Sequence, residues 1–211
     1  MQKRHIPPVQ TPRVRLRLLE ERDLPQTLAW RNQDGIRRWF FSSQRLTPEQ
    51  HAEWFARYRQ RDDDFVFIIE EAGHPHTGTR LRPIGQAALY DIDWVRGTAQ
   101  YGRLMIGETD AAGRGLAREV TDALVALALG QLGLQEIHLE VLPGNVRAIK
   151  VYEACGFEVA GSTEKALRMS KRAVPAFVVP PLGGIPPTTG TRYPGGTTSE
   201  LREPQAKDSP A

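Results

Sequence analysis

The sequence predicts one mixed α/β domain, a mostly antiparallel central sheet flanked by helices. Two observations predict it. Short stretches with apolar residues at every second position alternate with longer stretches at helical spacing that carry cap residues. Their order along the chain is strand, helices, a meander of strands, helix, strand, helix, which is the order of a sheet covered by helices.

The elements follow in turn. Residues 1–12 are polar with Pro7, Pro8 and Pro12, and read as a flexible arm. In 13–19, Val14, Leu16 and Leu18 alternate with Arg13, Arg15 and Arg17, the pattern of a half-buried strand. Asp23 is placed to cap a short helix with Leu24, Leu28 and Trp30 on its apolar side. Thr47, Pro48 and Gln50 form a capping box at the start of a helix striped by Trp54, Phe55 and Tyr58. The stretch DFVFIIEE is a strand, GHPHTGTRLRP a polar turn and IGQAALYDID an antiparallel partner strand. TAQYGRLMIGE, residues 98–108, is another strand. After a glycine loop comes a helix to about Leu129, with Leu116, Val120, Leu124, Leu127 and Ala128 in one stripe. Val125 and Leu129 widen that stripe, so the helix is predicted to lie buried between layers. In LGLQEIHLEVLP, Ile137, Leu139 and Val141 alternate as a strand. NVRAIKVYEACGF is a helix capped by Asn145 and stopped at Gly156. EVAGSTEKALRMSKR supplies one strand, and AFVV is left for another.

Composition sets the limits. The chain has 211 residues, 40% of them apolar and 25% charged, which suits one domain of 13–174 with tails. Eight of the 16 prolines fall in 175–211 among Gly and Thr, so that segment is predicted to be a disordered tail. A lone cysteine, Cys155, excludes an internal disulfide and makes a reducing cytoplasm the expectation. No apolar run approaches the roughly 20 residues of a membrane span, and the basic N-terminus lacks the apolar core of a secretory signal. The net charge of +3 comes from scattered arginines rather than one basic face. A nucleic-acid footprint is normally clustered on one face, and a small anionic molecule explains the mild positive balance equally well.

The stretch DAAGRGLAREV, residues 110–120, raises the question of chemistry. A helix start offers unpaired N–H groups and the positive end of the helix dipole. Gly113 and Gly115 let the backbone approach a phosphate, and Arg114 is placed to add a charged contact. The same two glycines also suit a plain tight turn. A P-loop is excluded because no Gly-Lys-Ser/Thr follows, and the dinucleotide fingerprint lacks its third glycine.

Downstream stands NVRAIKVYEACGF, and with it the chain, over 13–165, resembles the GNAT superfamily of acetyl-CoA-dependent N-acetyltransferases. The family loop Gln/Arg-x-x-Gly-x-Gly/Ala is matched from Ala112 to Ala117, with Ala112 in the place of the polar first residue. The signature Asn-x-x-Ala-x-x-x-Tyr-Glu-x-x-Gly-Phe is matched by Asn145, Ala148, Tyr152, Glu153, Gly156 and Phe157. The resemblance implies the GNAT-like fold and acetyl-CoA as co-substrate, with no metal. It implies that the backbone of Leu104, Met105 and Ile106 meets the pantetheine arm. Gly113, Arg114, Gly115, Leu116 and Ala117 would hold the pyrophosphate. Asn145 would bond the cofactor near the thioester, besides capping its helix. Tyr152 would protonate the leaving thiolate, where its other reading is a core aromatic at helical spacing.

The base is a departure. The usual glutamate position falls near Gln100, and glutamine cannot accept the amine's proton. Glu108, Glu140, His138, Tyr90 and Tyr101 remain, or a water chain; Glu140 is the one placed beside the cofactor. The N-terminal half resembles a GNAT branch acting on ribosomal-protein N-termini, aminoglycosides and sugar nucleotides. The pattern WRN…IRRWFFSS…H..WF is closest to enzymes that acetylate UDP-linked 4-amino sugars in surface-glycan assembly. That places Arg31, Asn32, His51 and Trp54 at the acceptor. Arg31, Arg37 and Arg38 would meet a diphosphate, and Trp39 or Phe40 a uracil ring. The alternatives are a solvated face for Arg37 and Arg38, and core packing for Trp54. A protein N-terminal or aminoglycoside acetyltransferase, and an acyl-CoA binder without turnover, are the competing functions. A monomer or homodimer acting on a small amine, away from nucleic acid and membrane, is expected.

Overall fold

The structure is a computed structural model, described for residues 3–72 and 81–174. It forms an eight-stranded sheet in the order β1-β2-β3-β4-β5-β6-β8-β7. The strands are β1 (Val9–Gln10), β2 (Val14–Leu18), β3 (Asp64–Glu71), β4 (Arg82–Asp93), β5 (Thr98–Ile106), β6 (Glu136–Val141), β7 (Glu158–Ser162) and β8 (Leu167–Arg172). Every neighbouring pair is antiparallel except β5 and β6. The helices are α1 (Leu24–Arg31), α2 (Asp34–Arg37), α3 (Pro48–Tyr58), α4 (Leu116–Ala126) and α5 (Val146–Ala154). The mixed, mostly antiparallel class expected from the sequence is the class observed.

Strand β3 explains how two layers share one sheet. All eight of its residues are buried, because both of its faces are covered. Phe65, Phe67 and Ile69 enter the larger core with α4, while Val66 and Ile68 pack on the other side with Phe55 and Tyr58 of α3. A strand covered on both faces reads as a continuous apolar run, as DFVFII does. The α4 stripe is buried as its periodicity predicted; Leu116, Val120, Leu124, Leu127 and Ala128 are at most 2% exposed. The helix relaxes into a π-helical turn at Leu127–Gln131, where the Leu132 N–H donates to the Leu127 carbonyl at 2.9 Å. The capping box of α3 is formed: the Gln50 N–H donates to Thr47 Oγ1 at 3.3 Å, and the Thr47 N–H to Gln50 Oε1 at 3.0 Å.

Four expectations are corrected. Residues 3–12 are packed rather than loose: β1 pairs with β2, Ile6 is buried, and Arg4 Nε donates to Asp62 at 3.0 Å. A two-residue strand has no readable period, so only the free edge of β2 could reveal it. Arg17 is buried, because α1 and its preceding turn supply Asp23 at 2.7 Å and β3 supplies Glu70 at 2.8 Å. Asp23 makes no side-chain cap on α1; its carboxylate holds Arg17 and accepts from the Glu20 N–H at 2.9 Å. The C-terminal stretch yields two strands instead of one. Thr163 Oγ1 accepts from the Ala166 N–H at 3.0 Å and turns the chain, so β8 returns between β6 and β7. The sheet thus reaches its eight strands without AFVV. The 175–211 tail, AFVV within it, and most of the polar turn after β3 lie outside the described residues.

Candidate active site

The site begins as a failure of strand pairing. β5 and β6 are in register only at Thr98–Gln100 against Glu136–His138. Beyond that point β5 stays with β4, while β6 stays with β8. A bulge drives the separation: Ala88 pairs with Gly102 and Gln86 with Met105, leaving surplus residues on β5. Arg103 there has φ +50, a left-handed value uncommon outside glycine. Bulges bend the strand that carries them. The gap becomes a cleft of about 520 Å³, with Gly102–Ile106 on one wall and Glu140 and Val141 on the other. Leu104, Met105 and Ile106 line it along an edge that has no ladder partner on the β6 side.

One end of the cleft is built to hold an anion. Gly113 has φ +81 and Gly115 φ +80, so both sit where a side chain is strained. Gly115 is the residue before α4, and the first-turn N–H groups of Leu116, Ala117 and Arg118 have no acceptor within the helix. Gly113, Gly115, Leu116 and Ala117 all line the cleft. Arg114 does not: its guanidinium is held at 2.5 Å by the buried carboxylate of Glu71. Three cations do line the cleft among the described residues: Arg103 on β5, paired with Asp64, Arg118 on α4 and Arg147 on α5. Arg147 Nη2 lies 3.7 Å from where a Cβ on Gly113 would sit, so its charge stands over the glycine loop. Sequence reasoning missed all three. The signal for Arg147 was its place two residues after Asn145, on the turn that α5 presents to the loop. Asn145 caps α5, accepting from the Ala148 N–H at 3.3 Å, and also lines the cleft.

Three of the candidate acid–base groups, Tyr152, Glu140 and Tyr90, line the cleft. Tyr152, on α5, is 8% exposed and lines the cleft. Its ring meets Tyr101 and Phe157 edge-on, each at 6.1 Å. Burial, with smaller contributions from Tyr90 and Cys155, pushes its pKa up to about 12. Its hydroxyl makes no hydrogen bond among the described residues and stays protonated at neutral pH. Glu140 lines the cleft from β6, and Arg168 of β8 donates to it at 2.9 Å. Tyr90 lines it from β4. The other candidate bases are placed elsewhere. Glu108 accepts from Trp30 Nε1 at 2.8 Å, and Tyr101 is buried with its hydroxyl on Thr121 at 2.8 Å. Neither Gln100 nor His138 lines the cleft; His138 faces Glu136 at 3.8 Å.

The acceptor residues named from the sequence are not brought to the cleft. Arg31 donates to the Ser42 carbonyl and lies 4.0 Å from the centre of the Phe40 ring. Asn32 fastens the following loop, bonding both the N–H and the carbonyl of Leu46 at 2.8 Å. His51 is buried, with Nε2 at 3.0 Å from Thr27 Oγ1 and its ring stacked on Trp54. Trp54 in turn stacks on Tyr58, so it belongs to the layer beneath. Arg31 and Asn32 brace the segment that follows α1, and the wall of the cleft comes from that segment. Its surface is Gly35, Ile36, Trp39, Phe40 and Phe41, with Trp39 38% and Phe41 59% exposed.

A strand splay, a left-handed glycine loop at a helix start and a buried tyrosine together form one site on contiguous sequence. The model of the acetyltransferase (GNAT) domain matches residues 13–158. The chain belongs to the GNAT acetyltransferase family. Among its relatives, spermidine N(1)-acetyltransferase of Vibrio cholerae is 25% identical over 146 residues, which cover 69% of this chain and 79% of that protein. Aminoglycoside N(6')-acetyltransferase type 1 of Klebsiella pneumoniae is 28% identical over 163 residues, covering 71% and 76%. An uncharacterized protein of Methanocaldococcus jannaschii is 24% identical over 147 residues, and the match spans only 28% of its length. The Vibrio cholerae spermidine N-acetyltransferase solved with CoA and spermine has the same fold, with a TM-score of 0.66 at 23% identity over 76% of this chain and 95% of that one. Among the described residues no helix is long and apolar enough to cross a membrane.

Proposed function

We propose that this GNAT protein transfers the acetyl group of acetyl-CoA to the primary amine of a small organic cation of the polyamine or aminoglycoside kind. The residues fit acetyl-CoA: the unpaired edge at Leu104–Ile106 suits an extended amide-bearing arm, and the glycine loop with Arg118 and Arg147 suits a diphosphate. Acetyl-CoA supplies an acyl group activated as a thioester. Within the cleft, Glu140 accepts the proton that the acceptor must lose before its nitrogen can attack. Tyr152 holds a proton that only a strongly basic atom removes, and donates it to the departing sulfur. Burial favours neutral forms of both groups, so the weak acid is matched by a thiolate made more basic in the same dry setting.

The observation that carries the acceptor class is the wall that Trp39 to Phe41 give the cleft. It is aromatic, from Trp39, Phe40 and Phe41, and Glu140 supplies a carboxylate. Aromatic faces and a carboxylate attract cations. A nucleotide-linked acceptor needs free arginines there, and Arg31, Arg37 and Arg38, expected for it, are engaged; the Arg38 guanidinium lies 5.0 Å from the centre of the Trp39 ring. Arg37 is on Asp34 at 2.9 Å and on the Ser43 carbonyl at 2.6 Å, while Arg31 is on Ser42. Arg103 is on Asp64 at 2.7 Å. The relatives named for spermidine and aminoglycosides support the same direction.

The test is acetyl-CoA consumption with spermidine, kanamycin, an N-terminal peptide and a UDP-linked 4-amino sugar. Turnover of spermidine or kanamycin is the expected result. Turnover of the nucleotide sugar alone would overturn the acceptor class. CoA binding without consumption by any amine would leave a binding module in place of an enzyme.

A further inference from the structure

We propose that Tyr90 is a catalytic residue, its phenolic oxygen accepting a hydrogen bond from the acceptor amine, and that Arg103 and Asp64 position it. The inference rests on the acetyltransferase reading above and fills the gap that Gln100 leaves.

Tyr90 stands where such a group is needed. It lines the cleft from β4 at the level where β5 parts from β6. Across the sheet Tyr90 is in register with Asp64 on β3 and Gln100 on β5. Its hydroxyl leans over the next element of the bulge: a Cβ on Gly102 would meet Tyr90 Oη at 3.1 Å and Cε1 at 3.2 Å. Any larger residue at 102 would push the phenol from that position by a few tenths of an ångström. The hydroxyl makes no hydrogen bond among the described residues, so its oxygen is available to a ligand in the cleft.

The ring is held on its other side by charge. The Arg103 guanidinium lies 4.3 Å from the ring centre, and its Nη1 donates to both carboxylate oxygens of Asp64, at 2.7 and 3.0 Å. Asp64 is 1% exposed, so the clamp is anchored in the core. The left-handed Arg103 is thereby explained. The conformation that bends β5 also turns this side chain back over Tyr90 towards β3. One local distortion opens the cleft and fixes a polar atom on its floor. An amine that donates one N–H to Tyr90 Oη and yields its proton to Glu140 is held with its lone pair directed. Removing one such orienting contact changes the rate rather than the binding of the donor.

The experiment compares wild type, Tyr90→Phe, Arg103→Lys and the double variant. Each is assayed with the fastest of spermidine, kanamycin and the UDP-linked 4-amino sugar, and CoA binding is measured by calorimetry. Tyr90→Phe is expected to lower kcat about tenfold, the loss of one hydrogen bond, with the KM for acetyl-CoA and the CoA affinity within about twofold of wild type. Arg103→Lys is expected to lower kcat less, and to add nothing in the Tyr90→Phe background, because it acts through the ring. Unchanged kcat in Tyr90→Phe, or losses that add, would overturn the inference while leaving the enzyme intact. No turnover by the wild type with any of the three amines would overturn the enzymatic reading and this inference with it.

Discussion

The two ends of the cleft, the one proposed for the donor and the one proposed for the acceptor, are made of different materials. The donor end is mostly backbone: an unpaired β5 edge, two left-handed glycines and the first turn of α4. The acceptor end is mostly side chains, and those nearest in sequence to the cleft are occupied with one another: Arg31 with Phe40, Asn32 with Leu46, His51 with Thr27 and Trp54. Backbone sites recognise what all substrates of a family share, since N–H groups carry no choice of partner beyond charge and shape. Side-chain walls can change without disturbing the sheet, and they set the acceptor.

The sharpest break of that contrast comes at Tyr152. Tyr152→Phe is expected to lower kcat about a hundredfold while CoA affinity by calorimetry stays unchanged, since only the proton donor is removed. The same residue fixes a pH limb. With its pKa near 12, loss of the acid does not reduce kcat/KM at any pH up to about 11, and a fall near pH 10 assigned to Tyr152 would contradict the burial argument.

At the donor end, Gly115→Val forces a β-branched residue to φ +80. The strain of about 1–2 kcal/mol corresponds to roughly a tenfold rise in the KM for acetyl-CoA, with the KM for the amine unaltered. At the acceptor end the reverse is expected. Trp39→Ala should raise the amine KM about threefold to fivefold, the worth of an exposed cation–aromatic contact, and leave acetyl-CoA kinetics alone. Equal effects on both substrates from either variant would erase the division between the two ends.

The smallest effect concerns the scaffold at the start of α1. Burial raises the pKa of Asp23, but the hydrogen bonds from Arg17 and the Glu20 N–H outweigh it, and the net shift is downward. A carboxyl lowered on folding contributes stability above its unfolded pKa, near 3.9, and that contribution is lost as pH falls through the folded value. Thermal unfolding of Asp23→Asn is therefore expected below wild type at pH 6, with the gap closing as pH falls through the lowered folded pKa. A gap that persists at low pH would mean packing, not charge, holds Arg17.

Legibility in the sequence followed the same division. The α4 stripe, the capping box of α3 and the cap at Asn145 were readable because each is written in neighbouring residues. So was the glycine loop, whose φ values demand glycine locally. Arg114 was adjacent to the loop yet turned to Glu71, whereas Arg147, distant in sequence, turned in. Adjacency says where a Cα is, and only packing decides where a long side chain goes. Arg17 looked like one of three solvent-facing arginines until α1 and β3 supplied its two carboxylates.

What the sequence by itself determined is the order of elements from β2 to α5, the family and the glycine loop at the start of α4, because local hydrogen bonding and periodicity encode them within a few residues. The tertiary structure alone decided which residues face the acceptor. It also decided that β8 closes the sheet against β6, and that the Arg103 bulge opens the cleft over Tyr90. Those outcomes depend on strand register and on charges brought together from β3, β4 and β5, and no window of contiguous sequence contains them.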